Sequence, residues 1–264
     1  MIRGLYTSGW SMLANTRKLD VITNNMANVN TNAYKKDTVV FESFPSVLTK
    51  RINDTRSPLN PSGNIGRMQL SSDVGEVFTN YTQGQLSQTG SKLDFAISDD
   101  GSGVSPAFFT VGMMDGNNNN NINEYYTKDG SFTINSNNQL VTKEGYLVMG
   151  EKGPITLSDT EFSVNEKGEI IQDGKLVDRL KITQFADATK LRKFGNNLIQ
   201  NTDSEVVEFT GNVLQGYSEQ SNVNVVDEMV DMITVMRAYE ASQKVLQAQD
   251  NTLEKAVTEV GVVR

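Results

Sequence analysis

Near the C-terminal end, Val225, Met232, Tyr239, Leu246, Leu253 and Val260 recur at a step of seven without a gap. Leu5, Met12, Leu19 and Met26 repeat the same step near the N-terminal end. A sustained seven-residue step keeps apolar side chains on one side of an α-helix, so each end is predicted to form a long helix that packs along its length. Between the ends the pattern changes to short β-prone runs separated by turn residues. The expected fold class is therefore mixed α and β: long N- and C-terminal helices pairing as a discontinuous helical domain, with a β-rich middle domain of hairpins. The expected boundaries are residues 1–30 and 222–264 for the helical domain, 31–70 and 205–221 for an extended connector, and 71–204 for the β-rich part.

The N-terminal helix is predicted to run to about Asn28, with no proline to interrupt it. It leads into TNNMANVNTNAYKK, where Asn24, Asn25, Asn28, Asn30 and Asn32 crowd together. Asparagine side chains compete for backbone hydrogen bonds and tolerate left-handed conformations, so a helix end with a structured turn is expected there. Pro45, Pro58, Pro61, Gly63 and Gly66 then give residues 37–70 the composition of a connector. In the middle, the runs 125–127, 131–134, 140–142, 146–149, 162–164, 169–172 and 176–185 read as strands. Asp129-Gly130, Asn137-Asn138, Glu144-Gly145, Lys167-Gly168 and Asp173-Gly174 are their turns. After Gly216 no glycine occurs until Gly261, and after Pro154 there is no proline. Residues 225–260 can therefore form one helix, about 54 Å long at the standard rise, capped by Asn222 or Asn224, with Asp227, Glu228 and Asp231 favoured in its first turns.

Such helices need something to lie against. Residues 1–36 hold five basic residues and one acidic residue, whereas residues 222–264 hold four basic and seven acidic, so charge favours pairing of the two ends. Packing on the β body, an intramolecular hairpin and a bundle with other copies all satisfy the stripes. Glu240, Gln243, Gln247 and Asp250 are expected to interrupt a second seam beside the main one, which disfavours a simple two-stranded coiled coil.

Composition excludes several chemistries. The chain has no histidine and no cysteine, which rules out disulfides, thiolate metal sites and histidine-based triads. A formal charge of −8 without a basic face argues against nucleic acid. No apolar run approaches the ~20 residues that span a bilayer, and the first residues lack the compact apolar run of a cleaved signal peptide. The alternation of Asp115, Asn117, Asn119, Asn121 and Asn123 imitates a calcium loop. Asn120 and Tyr126, however, stand where that loop needs glycine and glutamate. Gly101-Ser102-Gly103 is followed by Pro106 and no helix, and reads as a turn. Asp99-Asp100, or Glu205 with Glu208, could in principle serve a secreted carbohydrate-active enzyme, but nothing marks a sugar cleft. Trp10, the single tryptophan, is expected to pack or to contact another subunit.

Four segments carry a resemblance. TNNMANVNTNAYKK, YTQGQLSQTGSKLDFAI at 81–97, YYTKDGSFTINSNNQLVTKEGYLVMG at 125–150, and SNVNVVDEMVDMITVMRAYEASQKVLQAQDNTLEKAV at 221–257 together resemble bacterial flagellar basal-body rod proteins, in the family's order. Length and a single β-rich middle look most like the distal-rod member, with the proximal-rod paralogue next. Two departures are DDGSGVSPAFFTV at 99–111 and Asn32-Ala33-Tyr34, where the family often has glycine before the aromatic residue. The resemblance implies a non-enzymatic axial subunit without cofactor or metal. It would be exported without a cleaved signal peptide by the flagellar type III apparatus and would form a homo-oligomeric helical tube with other rod and hook proteins. It further implies that the stripe residues form inner packing seams. Its motif positions here are Asn24, Asn25, Asn28, Asn30, Thr31, Tyr34, Lys35, Asn222, Val223, Arg237 and Tyr239.

Overall fold

The computed structural model describes residues 2–50, 64–99, 104–114, 122–158, 161–195 and 197–260. Residues 115–121 of the calcium-loop imitation, the 101–103 turn, Asp100, Pro58, Pro61, Gly63 and the side chain of Val260 lie outside the described residues. The chain forms two compact units. One holds residues 1–24, 37–78 and 225–264, and the other residues 25–36 and 79–224.

Both terminal helices form. Helix α1 spans Ile2–Ala27 and helix α2 spans Val225–Lys255, followed by a π-helical turn at Ala256–Val260. The absence of proline and the acidic first turn of α2, Asp227 and Glu228, explain its length and its start. In the same unit, strands β1 (Asp37–Ser43) and β2 (Val47–Lys50) pair respectively with β4 (Ser72–Thr79) and β3 (Asn64–Met68). The stretch expected as a connector is thus largely a two-stranded ribbon. Its β-branched and aromatic run TVVFES finds a partner in DVGEVFT, a pairing that local proline and glycine content conceals. The ribbon rests on α1. Thr7 donates to the Leu70 carbonyl at 2.7 Å, Trp10 meets Phe44 edge to face at 5.2 Å, Arg17 bonds Asp73 at 3.0 Å, and Lys18 lies over the Phe41 ring.

Among the described residues, the regular elements of the other unit are strands, apart from the end of α1 and a single 3-10 turn at Ala188–Lys190. Its elements are β5 (Leu86–Gln88), β6 (Phe95–Ser98), β7 (Ala107–Met114), β8 (Ile122–Thr127), β9 (Phe132–Ile134), β10 (Leu140–Thr142) and β11 (Leu147–Val148). They continue with β12 (Ser163–Val164), β13 (Glu169–Gln172), β14 (Lys175–Arg179), β15 (Ile182–Phe185), β16 (Leu191–Phe194) and β17 (Leu198–Asn201). The last three are β18 (Val206–Val207), β19 (Asn212–Gln215) and β20 (Tyr217–Glu219). Residues 205–221, expected as connector, therefore supply three strands to this unit.

A nine-stranded antiparallel sheet carries the order β16-β17-β8-β7-β11-β10-β9, with β15 also pairing β7 and β18 pairing β15. Strand β7 is buried from Ala107 through Val111, because it has neighbours on both edges and cores on both faces. Successive strand side chains point to opposite faces. Phe109 accordingly enters a large core with Phe95, Phe132, Leu140, Val148 and Ile170, while Phe108 enters a smaller one with Tyr81, Phe185, Leu191 and Ile199. The hairpin β13–β14 turns at Asp173 and Gly174, both at positive φ (51° and 74°), as a tight two-residue turn requires.

Candidate assembly interface

The N-terminal stripe residues Leu5, Met12, Leu19 and Met26 are all half-buried. A second line, Ser8, Asn15 and Ile22, interleaves with them at alternating steps of three and four. On α2, Met232, Tyr239, Leu246 and Leu253 are half-buried, whereas Val225 at the first position is exposed. The partner seam of α2 is Glu228, Val235, Ser242, Gln249 and Ala256, all buried or half-buried. Glu240, Gln243, Gln247 and Asp250, expected to break the second seam, are exposed and lie off it. The helix turns its other flank inward.

Contacts between the two helices follow that seam. Ser11 Oγ and Ser242 Oγ lie 3.4 Å apart. At Gly4 the space that a Cβ would take is filled by the amide end of Gln249. A step of seven forward in α1 is a step of seven back in α2, so the helices run antiparallel where they touch. Of the basic residues among the first 36, Arg17 and Lys18 on α1 contact the ribbon, and Lys35, beyond the helix, contacts Glu219.

This unit buries little apolar material. Among its described residues only Ala14, Ile22 and Val235 are buried hydrophobics. Every exposed large hydrophobic residue recorded for the chain belongs to it except Val104, Leu176, Phe194, Val206 and Val207. Val226, Met229, Val230, Ile233 and Met236 are 49–67% exposed and share one face of α2, since residues three and four apart are neighbours on a helix. Tyr6, Trp10 and Leu13 are exposed on α1, and Val47, Leu48, Ile65 and Met68 on the ribbon.

The Asn-rich motif takes a different place. Residues 25–36 belong to the β unit, where they form a strap. Asn25 is buried and accepts from the Tyr34 hydroxyl at 3.2 Å, while Thr31 Oγ1 donates to Asn28 Oδ1 at 3.2 Å. Asn24, Asn30 and Arg237 are exposed, and Val223 is buried. Ala33 stands at φ 57° and donates its N–H to the Glu219 carbonyl at 2.8 Å. Lys193 lies 4.5 Å from the centre of the Tyr34 ring and donates to the Lys35 carbonyl, and Asn197 donates to the Asn32 carbonyl.

At the centre of the strap Lys35 Nζ donates to Glu219 Oε1 at 2.5 Å and to the Thr82 carbonyl at 2.8 Å. The same carboxylate oxygen accepts from the Gly84 N–H at 2.8 Å. Both side chains of the pair are almost wholly buried. Burial holds the Lys35 ammonium below the usual lysine range, and the Glu219 charge opposes that shift. Asn222 does not cap α2. Its Oδ1 accepts from the Lys36 N–H at 2.8 Å, and its Nδ2 donates to the Asn80 and Thr82 carbonyls. Sequence reading missed Glu219, a lone acid in a polar stretch whose partner is distant; no spacing rule could have marked it.

The carboxylates considered for sugar chemistry are otherwise engaged or exposed. Asp99 accepts from Lys128 at 2.5 Å in a buried pair, and Glu205 and Glu208 stand exposed on either side of β18. Among the described residues no group of three or more acidic side chains is placed to hold a metal ion.

Helical ends gathered into one unit with its apolar residues outside, and a β body with a closed core, define a structural, assembly-type protein. Residues 5–35 match the family described as Flagella basal body rod protein, residues 96–172 the Flagellar hook protein FlgE/F/G D1 domain, and residues 214–259 the Flagellar basal body rod FlgEFG protein C-terminal. The chain is 31% identical over 278 residues to the flagellar hook-basal body complex protein FlhO of Bacillus subtilis, covering all of both chains. It is 35% identical over 274 residues to the flagellar basal-body rod protein FlgG of Buchnera aphidicola subsp. Schizaphis graminum, covering 97% of this chain and 98% of that one. It is 32% identical over 272 residues to the FlgG of Borreliella burgdorferi, covering 96% and 97%. The chain belongs to the flagellar basal-body rod protein family and is a structural rod subunit.

Proposed function

We propose that the chain polymerises through its terminal helices into a helical tube and belongs to the distal rather than the proximal rod, a reading that its likeness along nearly its full length to proteins named FlgG supports. One observation carries this reading: the helical unit has three buried apolar residues and an apolar surface on α1, α2 and the ribbon alike. Contiguous exposed apolar surface of that kind marks an interaction site. The antiparallel α1–α2 contact supports a discontinuous helical domain, with Leu5, Met12, Leu19 and Met26 and Met232, Tyr239, Leu246 and Leu253 as its seams. The face carrying Val226 to Met236 is then left for neighbouring copies and for other rod and hook proteins. Head-to-tail contacts that do not close on themselves generate a growing filament. No described helix is long and apolar enough to cross a membrane. On this reading the axial subunit is exported to the basal body by the flagellar type III system.

The test uses residues that are exposed in the single chain. Ile233→Asp with Met236→Asp should leave the melting temperature of the purified monomer within a few degrees of wild type. In a strain lacking its own copy, the variant should abolish swimming and rod completion. Normal swimming with complete rods would overturn the assignment of this face.

A further inference from the structure

The strap and the short ribbon β5–β20 share one set of bonds. That ribbon pairs three residues with three, Tyr217 with Gln88 through Glu219 with Leu86, and shares no strand with the nine-stranded sheet. An isolated two-stranded ribbon of this size is marginal in water, so its closure depends on what else it holds. Here it holds Glu219, whose Oε1 accepts from both Lys35 and Gly84 while Oε2, although buried, has no hydrogen-bond partner. Gly84 has no room for a side chain: a Cβ there would stand 2.0 Å from the Gln220 carbonyl oxygen. The Gln220 N–H in turn donates to Gln85 at 2.9 Å. Asn222 completes the set by donating its N–H to the Tyr34 carbonyl and accepting from Lys36.

These bonds close sequence separations of 135 to 188 residues, and each leans on a group that another also uses. Loosening the Glu219 carboxylate releases Lys35 and Gly84 together, and with them the two backbone bonds on either side. The two cores that hold β7 make no use of them.

We propose that Lys35, Glu219, Gly84 and Asn222 form a latch, and that the strap and the β5–β20 ribbon open as one cooperative unit while the nine-stranded sheet stays closed. Local opening of this kind is read by hydrogen exchange. The proposal rests on the β unit alone and stands or falls separately from the assembly reading.

The experiment is native-state hydrogen exchange of the full chain across a urea series. The amides of Ala33, Gly84, Gln220 and Asn222 should report a single opening with a common urea dependence, easier than that of Phe109 and Tyr126. Glu219→Gln should raise exchange at the first four at least tenfold and leave Phe109 and Tyr126 unchanged. Asn222→Ala should move the same four in the same direction by less. Distinct urea dependences among the four, or equal acceleration at Phe109, would overturn the latch. Should Glu219→Gln fail to fold, the wild-type series decides alone: merging of the four with Phe109 at every urea concentration overturns the proposal, and their separation supports it.

Discussion

Lys35 Nζ and Glu219 Oε1 lie 2.5 Å apart, although 184 residues separate them in the chain. Removing one member of a buried ion pair strands the other charge away from water, at a cost of about 3–5 kcal/mol. Lys35→Met should therefore shift the urea midpoint strongly. Lys35→Met combined with Glu219→Leu should cost less than the single change, with the Gly84 N–H left unbonded as the residual penalty of about 1–3 kcal/mol. A double variant less stable than Lys35→Met would contradict the pairing.

Asn222 uses both ends of its amide. Asn222→Ala should destabilise the chain by about 1–3 kcal/mol, because the Lys36 N–H and the Asn80 carbonyl lose their bond to Asn222 and the Thr82 carbonyl keeps only its bond from Lys35. Asn222→Asp should cost at least as much, since it faces those carbonyls with a second acceptor. Equilibrium unfolding of the two variants side by side checks the order.

Ala33 occupies a left-handed conformation, φ 57°, that costs an L-residue about 1–2 kcal/mol. Ala33→Gly relieves that cost and gives back part of it as chain entropy and a lost buried methyl group, so stability should change by under about 1 kcal/mol. Ala33→Val should lose more than about 2 kcal/mol, because a β-branched side chain tolerates this conformation worst. Thermal melts of the three proteins distinguish these outcomes, and equal melting of the valine variant would sink the assignment.

Asp129 is half-buried, and the partial loss of water raises its carboxyl above the ordinary value of 3.8. The folded state then binds a proton more readily than the unfolded one, so this group contributes stability at acid pH that is lost as pH rises through the raised value. Asp129→Asn keeps the acceptor for the Ser131 N–H, which is 3.0 Å from Oδ1. Stability at neutral pH should be equal or higher in the variant, and its slope against pH flatter just above 3.8. An unchanged slope would show that Asp129 does not titrate with folding.

Trp10 is the single tryptophan, 37% exposed and edge-on to Phe44. If the α1 surface is covered by neighbouring copies, its emission should move to shorter wavelength on polymerisation. A spectrum identical in monomer and polymer would remove Trp10 from the interface.

The terminal helices were legible because a step of seven is a local pattern, visible without knowing what covers it. The Asp173-Gly174 turn was legible for the same reason: both residues tolerate positive φ, and the turn demands it. The second seam of α2 was not. It consists of Glu228, Val235, Ser242, Gln249 and Ala256, and only the fold reveals that polar side chains occupy it while Met229 and Met236 face outward. Residues 37–50 and 64–68 read as connector because β1 pairs with β4 and β2 with β3 across intervening sequence, and pairing of distant strands leaves little trace in local composition. The motif asparagines were visible as a cluster, but the anchorage of the adjoining Ala33, Tyr34 and Lys35 to Glu219 and Lys193 was not, since complementarity over more than 150 residues has no sequence signature.

Around Asn222 three passages of the chain are tied at one place: Lys36 bonds both Asn222 and Asn80, and Tyr34 bonds Asn222. Each passage stands within a few residues of a point where the chain crosses from one unit to the other. Within the β unit, the passages nearest those crossings are thus tied together by backbone bonds and one amide side chain. Any exchange of that unit between relatives would have to carry over Asn222, Asn80 and the strap together with their partners Gly84, Lys193 and Glu219.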